Sequence, residues 1–379
     1  MDSGAVRKWF WLVMMLSLMG VHTVMCSSTS GSGDGDGDGV GANNKAAAAA
    51  AAAAQATALF VFGDSLVDNG NNNFLNSIAK SNYYPYGVDS NRGPTGRFSN
   101  GDTFVDYLGA WLGIAAPPPF SDPSTTGTRI LGGVNYASAA AGILDETGQH
   151  YHAESTEDDD KRSKLEQVPF KSHRLLVFGS NDYINNYLLP TMYPSSFNYN
   201  PSQFANLLLN HYARQLVALY SLGLRKFVVA GTGPLGCIPI VLAAGQAPPG
   251  RCADYVNQML GPFNQGLLSL VNIMNNGTHP GSMFVYGNTY GAIGDILNNP
   301  ERYGFKVVDR GCCGIGRNQG LITCMPWVPP CSNRNQYVFW DAFHPTQAVD
   351  AILAHRAYAG PPTDVHPINV QQLALINFS

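Results

Sequence analysis

What most constrains this chain is an alternation. Short β-branched or aromatic runs, each ending in Gly, Asn, Asp or Ser, are separated by longer segments with apolar residues at helical spacing. The runs are "ALFVFGDS", "GVNYASAA", "RLLVFGSND", "KFVVAGTGP" and "SMFVYGNTY", and the clearest helical segments are Ser202 to Leu222 and Ala253 to Asn275. Strands that alternate with helices predict a parallel sheet covered on both faces. Ligands bind such sheets beyond the carboxyl ends of the strands, where these polar endings fall. The endings therefore become candidates for one site.

The chain has 379 residues, 45 % hydrophobic and 13 % charged, enough apolar material for a large core. A net charge of −4 without a Lys/Arg cluster leaves no electrostatic footprint for nucleic acid. Arg7 and Lys8 precede an uncharged run from Trp9 to about Val21, and Val24 and Cys26 fit a small-residue cleavage site. Residues 1–26 read as a secretory signal peptide, with a signal anchor as the rival, and no second membrane span follows. Residues 27–56, a Gly/Asp and then polyalanine tract, read as a linker, and residues 57–379 as one domain. "DGDGDG" matches the start of a calcium loop, but Lys45 stands where the bidentate Glu is needed.

With Cys26 removed, six cysteines remain: Cys237, Cys252, Cys312, Cys313, Cys324 and Cys331. An even number in a secreted chain predicts disulfides. Zinc is the alternative, but no Cys-x-x-Cys pair occurs and the adjacent Cys312 and Cys313 suit one tetrahedral site poorly. Asn276-Gly-Thr and Asn377-Phe-Ser are glycosylation acceptors by pattern.

In "FVFGDSLVDNGNNN" Ser65 follows an apolar run at a predicted strand end. A nucleophilic serine needs a base, an acid that orients the base, and donors for the developing oxyanion. Of nine histidines, His344 in "FWDAFHPTQAVDAILAH" has suitable neighbours: Asp341 precedes it by three residues, and Pro345 reads as the first residue of the next helix. That spacing lets a carboxylate hold one ring nitrogen while the other faces Ser65. Donors are expected from Asn181 in "FGSNDY" and from backbone N–H groups of Ala140, Ala141 or Gly142 in "ASAAAGIL". Asp64 and Asp68 read as shapers of the loop, since metal ligands would need further oxygen donors at usable spacing.

The blocks "GDSLVDNG", "VNYASAAAGI", "FGSNDYINNY" and "FWDAFHPT", in this order, resemble the plant GDSL-type esterase/lipase branch of the SGNH hydrolases. The likeness runs from Phe60 to about Ala359 and includes "TGRFSNGDTFVDYL", "LGCIP", "CCG" and "CSNRNQYVFWDAFHPT". It implies a flavodoxin-like three-layer α/β/α sandwich with a central parallel sheet. Ser65 is the implied nucleophile, Asp341 and His344 complete its triad, and Gly142 and Asn181 join the Ser65 N–H in the oxyanion hole. The implied protein is a secreted ester hydrolase of the cell wall or apoplast, acting on small-molecule or lipid esters through an acyl-enzyme without a cofactor. An acyltransferase with the same triad is the alternative. One interval departs from the family's pattern: "QHYHAESTEDDDKRSKLEQVPFKSH" is short and charged where two helices are expected. It predicts a poorly covered strand before Asn181, which motivates a further alternative, a catalytically impaired wall or glycan-binding protein.

Overall fold

In the computed structural model, residues 56–151, 172–190, 192–245, 247–248 and 250–378 are described. The signal-peptide and linker segments, and most of the charged interval, lie outside the described residues. Four of the predicted runs form parallel strands: β1 (Leu59–Gly63), β2 (His173–Val177), β3 (Lys226–Ala230) and β4 (Met283–Gly287), adjacent in that order. Their near-continuous apolar character is what burial on both faces demands.

A separate two-stranded ribbon pairs β5 (Val307–Gly311) with β6 (Tyr337–Phe339) in parallel. At the β4 edge the main sheet ends in a short antiparallel strand, β7 (Val365–His366). The run "GVNYASAA", read as a full strand, lies instead as an extended segment on the outer side of β1. It makes an isolated parallel bridge from Val61 to Asn135. Backbone bonds nevertheless follow its length: Val61 N–H donates to Val134 O, Tyr136 N–H to Val61 O and Ser138 N–H to Gly63 O, at 3.0, 2.7 and 2.9 Å. Counting that segment, the spatial order 2-1-3-4-5 is that of a flavodoxin-like sheet, whose switch point flanks the first strand. Ser65 sits at that point.

Two apolar layers enclose the sheet. Helices α2 (Pro201–Ser221) and α3 (Asp254–Ile273) place Phe204, Leu208, Phe263 and Leu267 against Leu176, Phe227 and Phe284. On the opposite face α1 (Phe104–Leu112), α5 (Gln347–Ala359) and α6 (Val370–Leu375) pack Leu108, Ala354 and Leu373 against Val61, Leu175 and Val228. A further helix, α4 (Thr289–Asn298), follows β4. Each large apolar side chain so buried contributes about 1.5–3 kcal/mol relative to exposure. Helix α2 starts where local chemistry dictates, with the Asn200 side chain accepting from the Gln203 N–H and Pro201 at the first helical position.

The expectation of a poorly covered strand before Asn181 is not met. β2 is paired on both sides, its residues His173 to Leu176 are buried, and Phe178 just beyond it packs edge-on against Tyr212 of α2. Its cover comes from helices that lie elsewhere in the chain. A second correction concerns Pro345, which precedes the helix instead of opening it. Thr346 is the N-cap of α5, and Pro345 bridges back to Phe339.

Candidate active site

β1 ends at Gly63 because the chain there has no room for a side chain. A Cβ would lie 2.4 Å from Val67 Cγ2 and 2.8 Å from Val177 O. Just beyond, Val67 and Asp68 N–H groups both donate to Asp64 O, and the Asp64 side chain accepts from the Leu66 N–H at 3.0 Å. This tight turn presents Ser65, partly exposed, between buried Asp64 and half-buried Leu66. Burial raises the Asp64 carboxyl to about 7.

The amide-rich run that follows is a clamp. Asp68 Oδ1 accepts from Gly70 and Asn71 N–H, each at 2.8 Å, which closes the loop on itself. Asn71 Nδ2 then donates to Asn135 O and Ala137 O, at 2.9 and 2.7 Å. Asn72 Oδ1 accepts from the Ser138 hydroxyl and the Ala139 N–H, at 2.8 and 3.0 Å. The Asp and Asn side chains of "DNGNNN" thus fix the loop that carries Ala140 to Gly142.

The His344 side is built differently. Past β6, the chain turns so that Trp340 N–H donates to His344 O at 2.8 Å. Inside the turn, Asp341 Oδ1 accepts from the Phe343 and His344 N–H groups, each at 2.8 Å. The His344 ring places Nδ1 2.8 and 2.9 Å from the two Asp341 oxygens and Nε2 2.7 Å from Ser65 Oγ. Ser65 and His344, 279 positions apart in sequence, are therefore in hydrogen-bond contact.

Tyr86 supplies a contact that the sequence did not announce: its hydroxyl donates to Asp341 Oδ2 at 2.6 Å. Burial and the Asp341 charge push the phenol well above its ordinary value, so it stays a donor. Burial alone would raise Asp341 too. The His344 charge and the hydrogen bonds from His344, Tyr86 and Phe343 N–H outweigh it and hold the carboxyl below the usual range. Phe98 covers the imidazole, with ring centroids 5.0 Å apart. Phe98 belongs to "TGRFSNGDTFVDYL", which is anchored by Arg97: its Nε and Nη2 each lie 2.8 Å from the Asp106 carboxylate.

Two disulfides brace the His344 loop. Cys312–Cys331 and Cys313–Cys324 flank the strand end whose Cys312 and Cys313 N–H groups donate to Phe339 O and Trp340 O, at 3.0 and 2.7 Å. The third, Cys237–Cys252, lies outside the ribbon. All six cysteines are thus paired, as the even count implied.

Asn181 follows β2 and lines the same cavity as Ser65 and His344. Its Nδ2 donates to Ala141 O at 3.0 Å, which orients the amide and leaves a second hydrogen on that nitrogen. Of the loop residues, Ala140 lines the cavity in a left-handed conformation with φ 71°, and the Ala141 N–H donates to Ser138 O at 3.1 Å. Gly142 backs onto Asp182, where a Cβ would lie 2.6 Å from Oδ2 and 2.4 Å from Thr147 Cγ2. The Asp182 carboxylate accepts from the Ile143 and Leu144 N–H groups and the Thr147 hydroxyl, which fixes the loop from behind. Among the described residues there is no cluster of three His, Cys, Asp or Glu side chains arranged to hold a metal ion. No described helix is long and apolar enough to cross a membrane.

A histidine bonded to both a serine hydroxyl and a buried carboxylate is equipped to withdraw the serine's proton. Known proteins resemble this chain over most of its length. The profile of the GDSL-like Lipase/Acylhydrolase family matches residues 59–357. The Arabidopsis thaliana GDSL esterase/lipase At1g71250 is 60 % identical over 335 residues, spanning 84 % of this chain and 89 % of that protein. GDSL esterase/lipase At5g08460 of the same plant is 53 % identical, over 84 % of this chain and 87 % of its own. GDSL esterase/lipase At1g71691, also from Arabidopsis, is 49 % identical, over 84 % and 86 %.

Proposed function

This chain belongs to the GDSL-like lipase/acylhydrolase family and is an ester-bond hydrolase, and from that premise we propose that Ser65 is its nucleophile, His344 the base and Asp341 the group that orients the base. The single observation that carries this reading is the hydrogen-bonded series from Asp341 through His344 to Ser65. In it, His344 Nε2 takes the Ser65 hydroxyl proton as Oγ attacks the ester carbonyl. The oxyanion is received by the Ser65 N–H, the free hydrogen of Asn181 Nδ2 and the N–H of Gly142, with Ala140 as the alternative backbone donor because it lines the cavity. His344 returns the proton to the departing alcohol, and water then attacks the acyl-enzyme by the same route. No cofactor enters these steps.

The substrate is a lipid or other acyl ester, and the predominantly apolar cavity around Ser65 supports that class. We assign residues 1–26 to a signal peptide, 27–56 to a linker and 57–379 to the hydrolase domain, with export to the cell wall or apoplast. Three disulfides support export, because they persist in an oxidising compartment. Asn276 and Asn377 are exposed, as glycan acceptors must be.

The test is hydrolysis of a short-chain chromogenic ester by the chain from residue 57, expressed through a secretory route, beside Ser65→Ala and Asn181→Ala. Ser65→Ala should lose activity and fluorophosphonate labelling together. Asn181→Ala should lower kcat about 10²- to 10³-fold with little change in KM. A folded wild type no faster than Ser65→Ala, and unlabelled, would sink the assignment.

A further inference from the structure

The cavity that holds Ser65 and His344 measures about 1360 Å³, above the roughly 300–1,000 Å³ that encloses a drug-sized ligand. A small ester does not need that room. Its walls divide into two kinds of surface. The more exposed part is lined by Lys80 and Asn82 of the loop after β1 and by Arg317, Thr323 and Met325. This part is polar in places, as a solvated alcohol or head group requires.

The other part runs behind the sheet. Leu175 and Val177 of β2 and Val228 of β3, alternate residues that share one sheet face, line the cavity together with Val349, Leu353 and Ala357 of α5. Positions 349, 353 and 357 are four apart and so form one stripe of that helix. The cavity therefore enters the layer between α5 and the sheet, where side chains ordinarily interdigitate without voids. Leu66 and Phe104 line it beside Ser65, and Arg356 and Asp364, bonded to each other at 2.6 Å, line it near β7. Asp350 also lines this wall, and burial together with nearby Asp106 raises its carboxyl well above the ordinary range.

Resting on the assignment of Ser65 as nucleophile, we infer that this inner arm is the acyl-chain site: the enzyme takes esters of long unbranched acids, with the chain threaded between α5 and the sheet and the alcohol left in the outer groove. An apolar chain gains affinity with each methylene it removes from water, which the inner arm provides and the polar outer groove does not.

The experiment uses the full chain, expressed through a secretory route, and compares nitrophenyl butanoate, nitrophenyl hexadecanoate and dodecyl acetate. The wild type should have a higher kcat/KM for the long acid than for the short one. Leu353→Trp fills the arm midway. It should lower the ratio of kcat/KM for hexadecanoate to that for butanoate by at least about tenfold, while the dodecyl acetate to butanoate ratio moves less than about twofold. Ala357→Phe, deeper along the stripe, should cut hexadecanoate but spare an octanoate ester, and it stands in if Leu353→Trp does not fold. A wild type that rejects hexadecanoate overturns the inference, as does a variant that loses dodecyl acetate and keeps hexadecanoate. If no ester at all is cleaved, the nucleophile assignment has failed instead, so the two outcomes are distinguishable.

Discussion

The Ser65 side and the His344 side of this site are held by different physics. Ser65 is fixed by regular structure. It extends a central strand, its turn is closed by backbone bonds to Asp64, and the neighbouring loop is locked by the amides of Asn71 and Asn72. Asp341 and His344 lie on an irregular loop after a three-residue strand. That loop is shaped by Asp341's own bonds to Phe343 and His344 N–H, by Tyr86, and by a ribbon carrying two disulfides. Where no helix or strand supplies rigidity, covalent links and a buried acceptor replace it. Substitutions on the two sides should therefore fail in different ways.

The sharpest break is between two carboxylates. Asp341→Asn keeps the shape but removes the charge that orients and stabilises the imidazolium, so kcat should drop on the order of 10⁴-fold. Asp64→Asn, beside the serine, should keep kcat within about threefold when assayed at about pH 6, because burial raises Asp64 to about 7 and so holds it mostly neutral there. Comparable losses would erase the contrast. Next come the disulfides. Cys313–Cys324 and Cys237–Cys252 close segments of similar length, with separations of 11 and 15 residues. Removing either pair as Ser should thus cost a similar amount, about 3 kcal/mol in chain entropy. Only loss of Cys313–Cys324 should also lower kcat well below the unfolding temperature, which steady-state kinetics on the two double variants would reveal. Smaller again is Tyr86→Phe, which leaves Asp341 Oδ2 one donor short. A hydrogen bond to a charged group is worth about 1.5–3 kcal/mol, so kcat should fall roughly ten- to a hundredfold with KM unchanged.

The same contrast explains what could be read from the sequence. The strands β1 to β4 and helices α2 and α3 announce themselves because burial imposes a period on neighbouring residues. Ser65 and Asn181 were legible as polar ends of such runs. Asp341 and His344 were legible only as a spaced pair, and the reading of Pro345 as a helix start missed that Pro345 pairs with Phe339 while Thr346 caps α5. Tyr86 was invisible, since its partner lies 255 positions away and a tyrosine among aromatics reads as core. Phe98 escaped for the same reason. "GVNYASAA" carried strand-like residues, but its pairing with β1 narrows to one bridge, and the Asn135 side chain bonds Val67 O and the Ala137 N–H there. The charged interval suggested an exposed β2 because the residues flanking a strand were taken as its cover. Helices from other parts of the chain supply that cover, and local sequence does not record it.

The gentlest test concerns pH and stability, where the two sides pull in opposite directions. Burial raises Asp64 to about 7, and Asp68 and Asp182 to about 6. Each then binds a proton more tightly folded than unfolded, so its contribution is complete below about pH 4 and is lost as pH climbs through the folded value. Asp341 is shifted the other way, as is Asp106, held at about 2 against burial by Arg97. Their contributions are complete above about pH 4 and vanish only in stronger acid. His173, buried in β2 and lowered to about 3, opposes the raised carboxyls below about pH 6.5, because the unfolded imidazole gains a proton that the folded one refuses. These three carboxyls against one imidazole leave a net loss from about pH 5 to pH 8, on the order of 3 kcal/mol at about 1.4 kcal/mol per unit, and Asp350, also raised by burial, adds to it in the same direction. The melting temperature should fall over that interval. Asp64→Asn, which keeps an acceptor for the Leu66 N–H but cannot titrate, should flatten the slope measurably. An unchanged slope would mean that Asp64 is not the buried acid its surroundings make it, and that the Ser65 side owes its rigidity to backbone bonds alone.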